Sequence, residues 1–301
     1  MSAGLLYFED ERIPAMNLAS AASLAEHRVA RHRFPDEELC LRLPFGEDTN
    51  LPDPLVVYRS LAHPNEKLVE LMLLARHARQ CGVTRLILVA PYLAYMRQDI
   101  AFHSGELVSQ RLVGGFLGEL FDAVLTVDPH LHRIDRLEQA IPLKHALALS
   151  GAPQLAEMIA ETRSDALLLG PDSESVQWVE RAARVTGLDY GVCNKARHGD
   201  RQVDITLPAI NVKGRRVVLM DDIASSGHTL ARAAERVLTA GAVSVDVAVT
   251  HALFAGDALD VLRRAGVGEV WSTDCIVHHS NAVGMAPALA DALAPLLLDS
   301  N

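Results

Sequence analysis

Short runs of Val, Ile and Leu alternate along this chain with longer segments of helical periodicity, and that alternation restricts the fold more than any other feature. Candidate strands are Leu55–Tyr58, Arg85–Ala90, Ala123–Val127, Ala166–Leu169, Arg216–Met220 and Val243–Thr250. Several are continuous apolar runs, as expected of strands covered on both faces. Between them, Asn65–Cys81 carries an apolar stripe at Leu68, Leu71, Met72 and Ala75, and Ser175–Val185 carries one at Val176, Val179 and Ala183. Those spacings are helical. Strands alternating with helices predict an α/β fold of βαβ units around mostly parallel sheets. Ligands of such sheets lie beyond the carboxyl ends of the strands. Polar residues that directly follow a strand are therefore the first candidates for a site.

The 301 residues suffice for about two domains. Half are apolar, which excludes a disordered chain. Lys and Arg total 28 against 38 Asp and Glu, a net charge of -10. That balance argues against nucleic-acid partners and against docking on anionic membrane. No apolar run reaches the roughly 18 residues of a membrane span. The segment Met1–Glu11 is acidic and lacks a signal-peptide pattern. Cys40, Cys81, Cys193 and Cys275 are scattered without a C-x-x-C pair, which fits a reduced cytoplasm. A domain boundary falls at Leu149–Pro153, and Met285–Leu298 reads as an apolar helix carrying Pro287 and Pro295. Each half has a strand, a polar loop and a helix, "LILVAPYLAYMRQD" and "VVLMDDIASSGHTL", then a strand leading to histidine. Duplication of one α/β domain and the general likeness of βαβ units account for this equally well.

The sharpest local signal is "RRVVLMDDIASSGHTLARAAERV", residues 215–237. A strand meets two carboxylates, Asp221 and Asp222, then a small polar loop, then an amphipathic helix. Backbone N–H groups at a helix start cradle phosphate. Paired acids accept hydrogen bonds from vicinal sugar hydroxyls or hold water around Mg²⁺. Together they describe a sugar-phosphate site. Weaker signals follow other strands: Arg97, Gln98 and Asp99 in "YMRQD", Asp128 and His130 in "TVDPH", and Asp172 with Ser173 and Ser175 in "GPDSES". A Ser N-cap explains the last as well as a phosphate cradle does. His132, His278 and His279 read as surface or satisfied loop histidines. "CNKARHGDRQVD", residues 193–204, is poor in apolar residues and reads as a mobile loop bearing Lys195, Arg197 and Arg201. Cations on a lid suit stabilisation of a phosphoryl-transfer transition state. There is no P-loop, no G-x-G-x-x-G after a strand and no G-x-S-x-G elbow.

In this order, the pieces resemble the ribose-phosphate pyrophosphokinase family over nearly the whole chain. "FPDEE" and Ser225 are nearer to its archaeal-type branch. The resemblance implies two type I phosphoribosyltransferase-like domains, 1–148 completed by the helix 286–301, and 149–285 carrying the ribose-5-phosphate site. It implies an enzyme that transfers the diphosphoryl group of MgATP to the C1 hydroxyl of ribose 5-phosphate. Lys195 and Arg197 would be the catalytic cations. Phe34, Asp36, Glu38, Arg97, Gln98, Asp99 and His130 would bind ATP. Asp221 and Asp222 would hold the ribose, with Ser225, Ser226, Gly227 and Thr229 around its 5-phosphate. His130 and Asp172 would serve Mg²⁺. The family also implies a cytoplasmic homo-oligomer whose ATP site is shared between subunits.

The chain departs from the family pattern in three places. Ser173-Glu174-Ser175 replaces a small, often glycine-containing loop, His228 stands where Gly is usual, and "DIAFHSG" (99–105) lacks basic residues. A left-handed backbone at His228 would cost about 1–2 kcal/mol. These departures motivate two alternatives, a paralogue using another pentose phosphate or phosphoryl donor, and a non-catalytic regulatory homologue. A single-domain phosphoribosyltransferase would leave about half the chain unexplained.

Overall fold

The structure is a computed structural model describing residues 3–46, 50–198 and 202–298, apart from the side chains of residues 195–198 and 202–204. The chain divides into two compact units, Met1–Leu149 with Met285–Asn301, and Ser150–Gly284.

Unit 1 contains β1 (Gly4–Phe8), α1 (Arg12–Ala21), β2 (Ala25–Arg33), β3 (Leu39–Arg42), β4 (Leu55–Tyr58), α2 (Pro64–Gln80), β5 (Leu86–Val89), α3 (Ser109–Leu120), β6 (Ala123–Val127) and β7 (His145–Leu149). Its sheet runs β3-β2-β1-β4-β5-β6-β7, parallel throughout except for the edge hairpin β2–β3. Leu55, Val57, Leu86 and Leu88 pack with Leu71, Leu74 and Ala75 of α2. The intervening Val56 and Ile87 are equally buried, so the apolar runs are continuous because both faces are covered.

Unit 2 contains α4 (Ala152–Thr162), β8 (Leu167–Gly170), α5 (Val176–Thr186), β9 (Tyr190–Val192), β10 (Asn194–His198), β11 (Gln202–Thr206), β12 (Arg216–Ala224), α6 (His228–Thr239), β13 (Ser244–Ala252), α7 (Ala258–Arg264), β14 (Val267–Thr273) and β15 (Asn281–Val283). Its sheet is wholly parallel, ordered β15-β14-β13-β12-β8-β9. Leu167, Leu169, Val217 and Leu219 face Leu230, Ala234 and Leu262. Leu168, Val218 and Met220 face Leu155, Ile159 and Val179. A last helix, α8 (Ala286–Leu298), packs on α1, β6 and β7 of unit 1.

With the hairpin strand β3 set aside, β1, β2, β4, β5, β6 and β7 occupy the same order as β8, β9, β12, β13, β14 and β15. The order reverses between β1 and β4, and again between β8 and β12. That reversal is the topological switch point, where open α/β sheets bind ligands. Shared order favours duplication over generic likeness as the account of the two matching halves.

The structure alters three local expectations. β12 continues to Ala224 instead of stopping at Met220, so the acid pair lies within the strand. Of the expected loop 193–204, the described residues on either side of 199–201 belong to two paired antiparallel strands, β10 and β11, with Lys195 opposite Ile205 and Arg197 opposite Val203; residues 199–201 lie outside the described residues. Alternation of Ala196, Val203 and Ile205 with polar neighbours is the strand signal there. The left-handed residue at the start of α6 is Gly227, at φ 73°, and His228 is already helical. His228 therefore carries none of the expected strain.

Candidate functional site

In unit 2, Asp172 follows β8 and Asp221 and Asp222 lie on β12, on the two sides of the switch point. Asp172 and Asp222 are buried. The Asp222 N–H donates to Asp221 Oδ1 at 3.0 Å. Burial, then the charges of Asp222 and Asp172, hold the Asp221 carboxyl well above the usual carboxylate range. Crowded acids of this kind favour any cation that joins them. The buried Cys193 thiol is pushed up to about 11 by burial and by Asp172, which leaves it a poor nucleophile.

Asp172 caps the short turn Ser173–Ser175 by accepting from the Glu174 N–H at 3.1 Å. The cap is thus the aspartate, not a serine. Ser175 is wholly buried, its hydroxyl donating to the Asp172 carbonyl at 2.6 Å. A Cβ on Gly170 would meet that hydroxyl at 2.2 Å, so glycine is required for the turn to fold back on β8. Ser175 is therefore structural, while Ser173 and Glu174 are exposed.

After β12, Ser225, Ser226 and Gly227 turn into α6, with Thr229 in its first turn. The Ser225 carbonyl accepts from the Ala255 N–H at 2.9 Å, which ties the turn to the segment after β13. A Cβ on Gly227 would lie 3.1 Å from the Ala258 carbonyl oxygen, besides being strained at positive φ. A helix start held in this way presents N–H groups and the positive end of the helix dipole.

In unit 1, Arg97, Gln98 and Asp99 follow β5. Arg97 is exposed. Gln98 Oε1 accepts from the Ser109 hydroxyl at 2.5 Å. Burial alone would raise the Asp99 pKa, but the hydrogen bond and charge of Arg133, 2.5 Å away, lower it. Asp99 is thereby the partner of Arg133. After β6, Asp128 and His130 take positive φ values of 37° and 27°, unusual for residues with a Cβ. Strain of this kind collects at functional sites. His130 Nε2 lies 2.5 Å from His132 Nε2, so His132 is a satisfied loop histidine, the second of the two readings given above. Its signal was the i, i+2 spacing around Leu131. Phe34, Asp36 and Glu38 form the tip of the β2–β3 hairpin, where the Phe34 N–H donates to the Glu38 carbonyl at 2.9 Å and the Phe34 ring is 43% exposed. Lys195 and Arg197 stand in β10, and their side chains lie outside the described residues.

Sequence reasoning missed Arg59. It follows β4 directly and is completely buried, with Nε donating to Glu70 at 2.7 Å and Nη1 to Asp10 at 3.0 Å. Lys67 donates to Glu11 at 2.8 Å and Arg31 to Glu70 at 2.6 Å. The strand-then-polar-residue rule pointed to Arg59 as much as to Asp99. A separate cavity of about 660 Å³, lined by Asp53, Arg85, Asp122 and Lys144 among others, opens at the amino ends of β5, β6 and β7. That is the end opposite to the candidate site.

A parallel sheet with an acid pair and a glycine-capped helix start at its switch point defines a phosphoribosyltransferase-type protein. Residues 143–277 match the family described as phosphoribosyl transferase domain, and residues 6–120 match the N-terminal domain of ribose phosphate pyrophosphokinase. The ribose-phosphate pyrophosphokinase of Methanopyrus kandleri is 33% identical over 272 residues, covering 89% of this chain and 90% of that protein. That of Thermococcus kodakarensis is 34% identical over 289 residues, covering 96% and 98%. A crystal structure of phosphoribosylpyrophosphate synthetase from Mycobacterium smegmatis shares the fold, with a TM-score of 0.83 at 22% identity over 100% of both chains. The chain belongs to the ribose-phosphate pyrophosphokinase family. The archaeal relatives agree with the archaeal-type features of "FPDEE" and Ser225.

Proposed function

We propose that this protein transfers the diphosphoryl group of MgATP to the C1 hydroxyl of ribose 5-phosphate, forming phosphoribosyl diphosphate and AMP. The observation that carries the proposal is the junction of Asp172, Asp221 and Asp222 with the glycine-capped turn at the switch point of unit 2. The acids accept hydrogen bonds from the ribose hydroxyls. The turn from Ser225 to Thr229 holds the 5-phosphate by backbone N–H groups, hydroxyls and the helix dipole. With both ends of the sugar fixed, the C1 hydroxyl is aimed at the β-phosphorus for in-line attack, and positioning supplies much of the acceleration.

Lys195 and Arg197, two residues apart on one of the paired strands β10 and β11, neutralise charge as it spreads over the transferring phosphoryl oxygens. Phe34, Asp36, Glu38, Arg97, Gln98 and His130 bind ATP, with Asp99 acting through its ion pair to Arg133. The half-exposed Phe34 ring at a hairpin tip supports an adenine site completed by a second copy of the chain, hence a homo-oligomer. The carboxylate set of Asp172, Asp221 and Asp222 suits Mg²⁺, because hard oxygen donors are what that ion takes. Within unit 2 the residue that would hold it is Asp172, beside the acid pair, and within unit 1 His130 would serve a Mg²⁺ brought with ATP. Mg²⁺ bound with ATP would neutralise the polyphosphate. No helix among the described residues is long and apolar enough to cross a membrane. With four free cysteines, this supports work in the cytoplasm, where ATP is supplied.

The test is Mg²⁺-dependent AMP formation with ribose 5-phosphate, followed by phosphorus NMR. A diphosphate resonance on C1 is the expected outcome. AMP formed only with another pentose phosphate would replace the proposed acceptor. MgATP binding without turnover would indicate a regulatory homologue.

A further inference from the structure

His278 lies between β14 and β15, on the segment that leaves the sheet of unit 2 at its carboxyl end, where the acid pair also lies. Side chains close this segment. Asn281 Nδ2 donates to the carbonyls of Thr273 and Ile276 at 2.6 and 3.0 Å, and its Oδ1 accepts from the His278 N–H at 2.9 Å. His278 Nδ1 lies 3.2 Å from the Ser280 N–H and 2.7 Å from the Ser280 hydroxyl, which in turn lies 2.8 Å from the Ser272 hydroxyl. Both serines are buried. One backbone group fixes the direction of every proton in this chain. The Ser280 N–H can only donate, so Nδ1 is an acceptor and carries no proton. The Ser280 hydroxyl therefore donates to Nδ1 and accepts from Ser272. A neutral imidazole with a bare Nδ1 has its hydrogen on Nε2. Burial, then the neighbouring His279, hold the His278 pKa below its ordinary value, so the ring is uncharged at neutral pH.

The ring held in this way lies against Phe254, with centroids 5.1 Å apart. Phe254 is buried and belongs to the segment after β13 that carries the sugar-phosphate turn. Its N–H donates to the Ala224 carbonyl, and the Ala255 N–H donates to the Ser225 carbonyl, both at 2.9 Å. From this geometry we infer that His278 is a positioning residue for the ribose 5-phosphate site. Locked as the Nε2–H tautomer by Ser280 and Ser272, it braces Phe254 and through it the turn from Ser225 to Gly227. An apolar side chain could fill the space beside Phe254, but it would leave the Ser280 N–H and the two buried hydroxyls short of an acceptor. The inference rests on the proposed function for the identity of the ligand, not for the contact it assigns.

Two measurements on the full-length protein need no substrate. Histidine nitrogen spectra, with the His278 signals identified by their loss in His278→Ala, should show a protonated Nε2 and a bare Nδ1 at neutral pH. The Phe254 and Ala255 amides should exchange with solvent at least about 5-fold faster in His278→Ala, while those of β8 keep their protection. His278→Asn, whose Oδ1 can accept in the place of Nδ1, should recover part of the loss. In turnover, KM for ribose 5-phosphate should rise about 5-fold in His278→Ala with kcat kept, as expected when one aromatic contact is removed. A charged ring or the opposite tautomer overturns the inference. Unchanged exchange at both amides overturns it too, and so does faster exchange with KM unmoved. An unmutated protein that does not bind ribose 5-phosphate would defeat the proposed function, and amide exchange would still decide whether His278 braces the turn.

Discussion

At the switch point of unit 1, between β1 and β4, buried charges neutralise one another. Arg59 is held by Glu70, Asp10 and Glu11 and stacks 4.3 Å from the centre of the Phe8 ring, while Arg31 and Lys67 complete the set. At the corresponding place in unit 2, between β8 and β12, carboxylates stand beside carboxylates, and burial first, then the charges of Asp222 and Asp172, raise the pKa of Asp221. The strand order is the same and the electrostatic solutions are opposite. A site that supplies its own counter-charge is finished as part of the scaffold. A site that concentrates one sign of charge leaves room for a ligand to relieve it. In unit 1 the proposed ligand contacts have accordingly moved off the switch point, to the ends of β5 and β6 and the β2–β3 hairpin.

Four substitutions test this contrast, from the largest expected effect to the smallest. Glu70→Ala leaves the buried Arg59 short of a partner and should destabilise the fold by about 3–5 kcal/mol. Urea unfolding measures it, and a loss under about 1 kcal/mol would show that the network is not what closes unit 1. Lys195→Ala should lower kcat by about 3–4 kcal/mol of transition-state stabilisation with the unfolding midpoint unchanged. Near-normal turnover would remove β10 from the mechanism. Gly227→Ala should cost about 1–2 kcal/mol of stability from its left-handed backbone. It should also weaken ribose 5-phosphate binding, read by calorimetry.

Asp221→Asn sharpens the comparison most finely. Folded Asp221 keeps its proton to higher pH than the unfolded chain does. That stabilisation is full below the ordinary carboxylate range and is lost as pH rises through the raised folded value. Above that raised value the charged form is therefore a burden. The asparagine variant should show a slightly higher Tm without ligand, and weaker sugar-phosphate binding. A lower Tm would mean that the acids are not in conflict.

The central strands β4, β5, β6, β8, β12 and β13 were legible because strands covered on both faces announce themselves as unbroken Val/Ile/Leu runs, and the β4 run ends where it was expected. β2 was hidden by its charges, with only Val29 of nine residues buried. β1, five residues directly before an acidic run, was masked by its neighbours. The sugar-phosphate signature could be read because its parts lie within about ten residues of one another. The ion network could not, since Asp10, Glu11, Arg59 and Glu70 each look like a solvated charge until the fold gathers them. The two readings of His132 could not be separated for a similar reason, because partnership with His130 depends on how Leu131 packs.

The packing of α8 against α1, β6 and β7 has a consequence for the order of events during synthesis. Unit 2 is one uninterrupted stretch and has all its parts once residue 284 has emerged. Unit 1, although its strands are made first, lacks one covering helix until residues 286–298 follow. The part of α1 that packs on α8 must wait for that helix. The half of the molecule that is translated earlier is thus the half that is completed later.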